Sequence, residues 1–267
     1  MNNTETAAMG GAMQEGVNTN TAPTMEMHTT LGTGMPGESM GMGAMTADLD
    51  GPMVLGFPLI VFLMIASGVF YAACAAFVGR MWLKEKNELV AALFAFLSYQ
   101  AASMFFMGLE MQTMNMFYSN MASLAVFVGS VYMLKFPFSS FSNRTRQTFF
   151  FGSLIAVLGL FAWFLQTEVR QISLMNFTLW YDIVVNGLVV GGFMFLLALR
   201  TAERWLKFKA YGGSLGVLTC CVAANATILT GALLTSSVLQ FLAPVIILGS
   251  LVFAHRGQKT SAPVQTA

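Results

Sequence analysis

Residues 53–86 read MVLGFPLIVFLMIASGVFYAACAAFVGRMWLKEK, an uninterrupted apolar run that stops at Arg80, Lys84 and Lys86. A helix needs about 20 apolar residues to cross the hydrocarbon core of a bilayer, and 53–79 supplies them without a charge. Backbone polar groups in lipid must find partners within their own segment, so a run of this length reads as a helix. Six further stretches of the same kind follow, at 88–110, 113–134, 147–168, 174–200, 210–233 and 235–254.

The charges between these stretches alternate. Lys135, Arg144 and Arg146 follow the third, Arg200, Arg204, Lys207 and Lys209 follow the fifth, and Arg256 and Lys259 follow the last. Together with the three after the first, they place twelve of the thirteen Lys and Arg residues on one side; Arg170 alone falls on the other. Basic flanks stay in the cytoplasm during insertion, so the N-terminus is expected outside and the C-terminus inside. The expected fold is an all-α integral membrane protein, a seven-transmembrane-helix bundle over 53–256. A disordered N-terminal tail (1–52) precedes it and a short polar cytoplasmic tail (257–267) follows. The start of the chain has no basic, apolar signal-peptide pattern, so the first span is expected to serve as the export signal.

Composition sets aside several classes of protein. With 56% hydrophobic and 9% charged residues in 267, the chain does not match a soluble domain. Its net charge of +1 and the lack of a basic run give no footprint for nucleic acid. Cys74, Cys220 and Cys221 all fall within spans, which leaves no extracellular disulfide framework and reads as small buried packing residues. The two histidines, His28 and His255, are too few and too far apart for a bis-histidine haem, and no Cys/His cluster suggests structural zinc. No phosphate-binding glycine loop or nucleophile elbow is present, so no motif names an enzymatic reaction.

Some features do point to chemistry. Asp182 lies inside the fifth span, where an ionisable side chain is costly unless it faces the bundle interior or water. Asn186 is one turn further along the same face. The bland alternative is a shallow Asp182 that caps the helix or pairs with Arg170. Asn120 in the third span, Asn225 in the sixth and Gln240 in the seventh lie towards the same outer side. With Asp182 and Asn186 they are expected to line an outward-facing polar pocket for a small ligand or ion, in a sensor or transporter component. Polar groups are scarce in the inner halves, apart from Ser98 and Gln100, which favours a binding site over an open channel. The competing reading is that these groups only bridge neighbouring helices. Gly187/Gly191 and Gly212/Gly216, each four apart, read as close-packing positions. Residues 201–209 are expected to extend the fifth helix inward, with Glu203 and Lys207 spaced to pair.

Methionine is abundant, at 21 residues. Met25, Met27 and His28 sit in the N-terminal tail, and Met104, Met107, Met111 and Met114 fall within an arc of about 80° on the second span. Thioethers are soft ligands that select Cu(I), so copper acquisition or relay is an alternative function, weighed against core and spacer roles. A Met-rich outer tail with a membrane methionine stripe resembles eukaryotic high-affinity copper transporters, which implies copper as the cargo. Seven spans, an outward N-terminus and short outer turns also resemble the microbial rhodopsin scaffold. That family's retinal linkage needs a Lys in the seventh span, and 235–254 has none. The remaining alternatives are a rhodopsin-like scaffold without retinal and a non-catalytic subunit of a membrane complex with a protein partner.

Overall fold

In the computed structural model, which describes residues 52–261, seven helices are long and apolar enough to cross a membrane. They are α1 (Leu59–Glu85), α2 (Glu88–Thr113), α3 (Met116–Met133), α4 (Asn143–Phe164), α5 (Glu168–Arg200), α6 (Arg204–Leu229) and α7 (Leu233–Ser261). The expectations for the tail, including copper ligation by Met25, Met27 and His28, lie outside the described residues.

Helix starts have local causes. The side-chain oxygens of Asn87 and Asn115 accept from the backbone N–H groups of Leu89 (2.8 Å) and Phe117 (2.9 Å). Ser142 and Thr167 do the same for Thr145 and Arg170, both at 3.3 Å. Each satisfies an N–H group that the first turn leaves without a helical partner. The α1–α2 and α2–α3 turns are short because Lys86 and Met114 take left-handed conformations, each with φ of 52°.

α1 packs on α2, α2 on α3, α3 on α5, α5 on α6, α6 on α7, and α7 returns to α1, closing a ring of six helices. α4 leans on α3 and α5 from outside the ring. Only 17% of its most apolar window is buried, against 39% or more for every other helix. Lipid is as apolar as leucine, so close packing rather than the hydrophobic effect must hold such helices together. The paired glycines provide it. A Cβ on Gly187 would collide with Val222 of α6, and one on Gly216 would collide with Ile247 of α7. The core of the ring includes Met64, Tyr71, Phe96, Leu97, Met133, Val190 and Cys221. A second cluster, built on Phe127, Phe161, Phe164 and Leu174, fixes α4 to α3 and α5.

Three segments differ from the sequence reading. The first helix begins at Leu59, because Met53–Val54 and Phe57–Pro58 pair as a small antiparallel hairpin. Leu55 (φ 53°) and Gly56 (φ 84°) make its turn, and Pro58 precedes the helix where a missing N–H costs nothing. Residues 201–209 do not extend the fifth helix. α5 stops at Arg200, Thr201 and Glu203 are extended, and 204–209 form the first turns of α6. Basic Arg200 suits the C-terminal end of α5, whereas α6 opens on Arg204 and Lys207, with the preceding Glu203 as the acidic residue at that end. At the other end of the bundle, α7 remains helical to Ser261, past the expected start of the polar tail.

α5 and α6 each contain a stretch of wider π-helical turns, at Asp182–Gly191 and Leu218–Ala224. The two stretches pack against each other. π turns inside α-helices are uncommon and often coincide with functional sites.

Candidate functional site

Asp182 begins the π stretch of α5. It lies fourteen residues from Glu168, roughly 21 Å along the axis at about 1.5 Å per residue, and is buried. It is therefore near the middle of the helix rather than shallow. Arg170 is engaged elsewhere: it donates to Gln166 Oε1 at 2.8 Å and stacks 4.3 Å over the ring of Trp163. Among the described residues no Lys or Arg forms an ion pair with Asp182, which removes the pairing with Arg170 considered from sequence.

Amides hold the carboxylate instead. Asn186 Nδ2 donates to Oδ1, and Asn225 Nδ2 donates to Oδ2 at 2.7 Å. The second hydrogen of each amide is also used. Asn186 donates to Ser130 Oγ on α3 at 2.7 Å, and Asn225 to the Cys221 carbonyl at 3.0 Å. Both carboxylate oxygens thus act as acceptors, as suits the ionised group. The network ties α3, α5 and α6 together at one level of the bundle.

Asp182 opens onto a cavity of about 50 Å³ lined from α2, α3, α5, α6 and α7. Asn225, Gln240, Gln100 and Ser103 line it with Asp182, and Glu110 and Ser119 lie within a turn of the ends of α2 and α3. The cavity therefore reaches from the middle of the bundle towards the end opposite the basic loops. Gln100 Nε2 and Ser103 Oγ are buried without a hydrogen-bond partner, as is Asn186 Oδ1 beside the carboxylate. Buried polar groups are normally satisfied, so Gln100 and Ser103, which line a mostly apolar cavity, are groups that a ligand or water can engage.

The structure gathers most of the expected site and separates one member. Asp182, Asn225 and Gln240 line the cavity, and Asn186 supports Asp182 from behind. Asn120 stands apart, donating to Gln171 Oε1 at 3.3 Å between α3 and α5. Of the methionine stripe, Met104 and Met107 line the same cavity, whereas Met111 packs against the ring core. Met175 and Cys220 add two more sulfur side chains to the lining, with the Cys220 thiol donating to Gln240 Oε1 at 3.1 Å.

Glu110, Ser103 and Ser130 are further polar members that the sequence reading did not assign to the site. A signal for two of them was present, since positions 100, 103, 104, 107 and 110 share one face of α2 at three- and four-residue spacing. Comparison with protein-family models, with curated proteins and with solved structures finds no match to this chain.

Proposed function

We propose that this chain is a multi-pass membrane protein, N-terminus outside and C-terminus inside, that binds a small cation in the cavity at Asp182. The observation carrying this reading is a carboxylate in mid-bundle, hydrogen-bonded on both oxygens by amides, with no cationic side chain paired to it among the described residues. A buried charge without a counter-charge is expensive, and a cation in the adjoining cavity offsets it. Size supports an ion over an organic solute. A water needs about 10–15 Å³ measured in the same way, so about 50 Å³ accommodates an ion and a few waters. Oxygen ligands are at hand from the lining residues Asp182, Ser103 and Gln100.

A sensor or the binding unit of a transporter fits better than an open channel, because the lining towards the basic end turns apolar at Phe96 and Val217. The test is equilibrium binding of Na⁺ and K⁺ to the reconstituted protein. Wild type is expected to bind one of them saturably and Asp182→Asn to lose binding while folding normally. Equal binding by a folded Asp182→Asn variant would refute the proposal.

Copper is the second reading, and one observation favours it: Met104, Met107, Met175 and Cys220 line the same cavity. Soft sulfur ligands select Cu(I) and its analogue Ag(I) over Na⁺ and K⁺. Under this reading Ag(I) binds the reduced protein, and Met104→Leu with Met107→Leu weakens it. Undiminished Ag(I) binding in that double variant would dismiss it. Orientation has its own test. Gln112→Cys should react with an impermeant maleimide in intact cells, and Ser139→Cys only after lysis; the opposite pattern would reverse the topology.

A further inference from the structure

A second cavity, of about 400 Å³, lies at the other end of the ring and shares no lining residue with the Asp182 site. It falls within the usual range of small-molecule sites. Its walls come from α1, α2, α5, α6 and α7, with Phe136 added from the segment after α3. The floor is Phe96, Val217 and Ile247, and the walls are Val78, Leu93, Met194 and Leu251. At the mouth stand Glu85, Asn87 and Lys209: one acid, one amide and one base.

We infer that this cavity binds a single-chain amphiphile, with its apolar chain between the helices and an uncharged polar head at Glu85, Asn87 and Lys209. Three observations carry the assignment. The walls below the mouth offer hydrocarbon, aromatic and thioether surface, and such a wall gains nothing from a hydrophilic solute. The depth is that of a chain rather than a compact ring system. Along α6 the lining runs from Leu206 to Val217, roughly 16 Å at about 1.5 Å per residue. The mouth carries both signs of charge, so an acid or an amine meets one like charge there, whereas an uncharged hydroxyl or amide head meets none and can hydrogen-bond to the Glu85 carboxylate or the Asn87 amide. This assignment does not depend on what Asp182 binds.

The probe is dodecanol bearing a terminal diazirine, added to the full-length protein in liposomes, photolysed and mapped by mass spectrometry. Adducts are expected at Met194, Val217 and Ile247, suppressed by excess dodecanol more than by dodecanoate or dodecylamine. Ala210→Trp, which places an indole in the lining, should lower labelling roughly tenfold with the melting temperature retained, equivalent to about 1.4 kcal/mol of binding. If that variant does not fold, Gly213→Leu serves in its place. A Cβ there meets only the flexible end of Met194, at 2.7 Å from Cε, and Gly213 lines the same cavity. Adducts confined to outward-facing Leu196, Leu199 and Phe253 would overturn the proposal. So would unchanged labelling in a folded filling variant, or equally good competition by the charged analogues.

Discussion

Replacing Asn225 with Leu removes one amide donor from Asp182 at nearly constant side-chain size. In the native protein Nδ2 of Asn225 spans 2.7 Å to the carboxylate of α5 and 3.0 Å to the Cys221 carbonyl of its own helix. A hydrogen bond to a charged group contributes about 1.5–3 kcal/mol, whereas side-chain hydrogen bonds between membrane helices average roughly 0.6 kcal/mol. The carboxylate here has no cationic partner among the described residues, so the amides carry its stabilisation and the larger figure applies. Single-variant losses also contain the Cys221 contact and the packing of leucine. A double-mutant cycle of Asn225→Leu and Asp182→Leu subtracts both. The expected coupling is about 1.5–3 kcal/mol, a tenfold or greater effect on the folding equilibrium, read by reversible unfolding in mixed micelles of SDS and a mild detergent. Coupling at or below about 0.6 kcal/mol would refute the reasoning, because Asp182 would then be an ordinary interhelical contact.

Further outcomes follow from single contacts. Gly187→Ala should destabilise by about 1–3 kcal/mol, since its Cβ meets Val222, and adding Val222→Ala should recover most of the loss; melting curves of the three variants decide. Tyr71→Phe should cost less than about 1 kcal/mol, because the buried hydroxyl, beside the Cys220 thiol, makes no well-formed hydrogen bond. A loss above about 1 kcal/mol would show that it has one. Glu88→Gln breaks the 3.0 Å pair with Arg146, but Glu88 is 57% exposed, so less than about 1 kcal/mol is expected, shrinking further in high salt.

Much of the helical layout was legible because apolar length and basic flanks are one-dimensional signals. The turn after Thr113 and the seven apolar segments follow from them directly. The ends were less legible. The hairpin at Met53–Pro58 is as apolar as the helix it precedes, so hydropathy cannot separate them, although Gly56 and Pro58 mark a turn. The break at Thr201–Glu203 was hidden by helix-forming residues on both sides. Within the site, Asp182 and Asn186 were readable as one helical face, whereas pairing Asn186 with Ser130 needed the lateral order of the helices. Hydropathy does not encode that order. Asn120 lies outside the cavity lining, facing Gln171 instead; depth alone does not say which neighbour a side chain faces. The α2 face with Gln100, Ser103 and Glu110 was readable in principle, but following the methionines alone concealed it.

The wide turns at Asp182–Gly191 and Leu218–Ala224 also bear on how this protein can change over evolutionary time. A π turn accommodates an extra residue without breaking the helix. Deleting that residue would let either stretch tighten into an ordinary α-helix while the flanking turns keep their faces, so the change falls within the stretch itself. Asp182 and Asn225 stand at the boundaries of these stretches, so such a deletion would alter the backbone directly beside the network while every side chain in it stayed the same. A one-residue change of length in these segments is therefore absorbed locally, where the same change in an ordinary α-helical span would turn the whole of one flank.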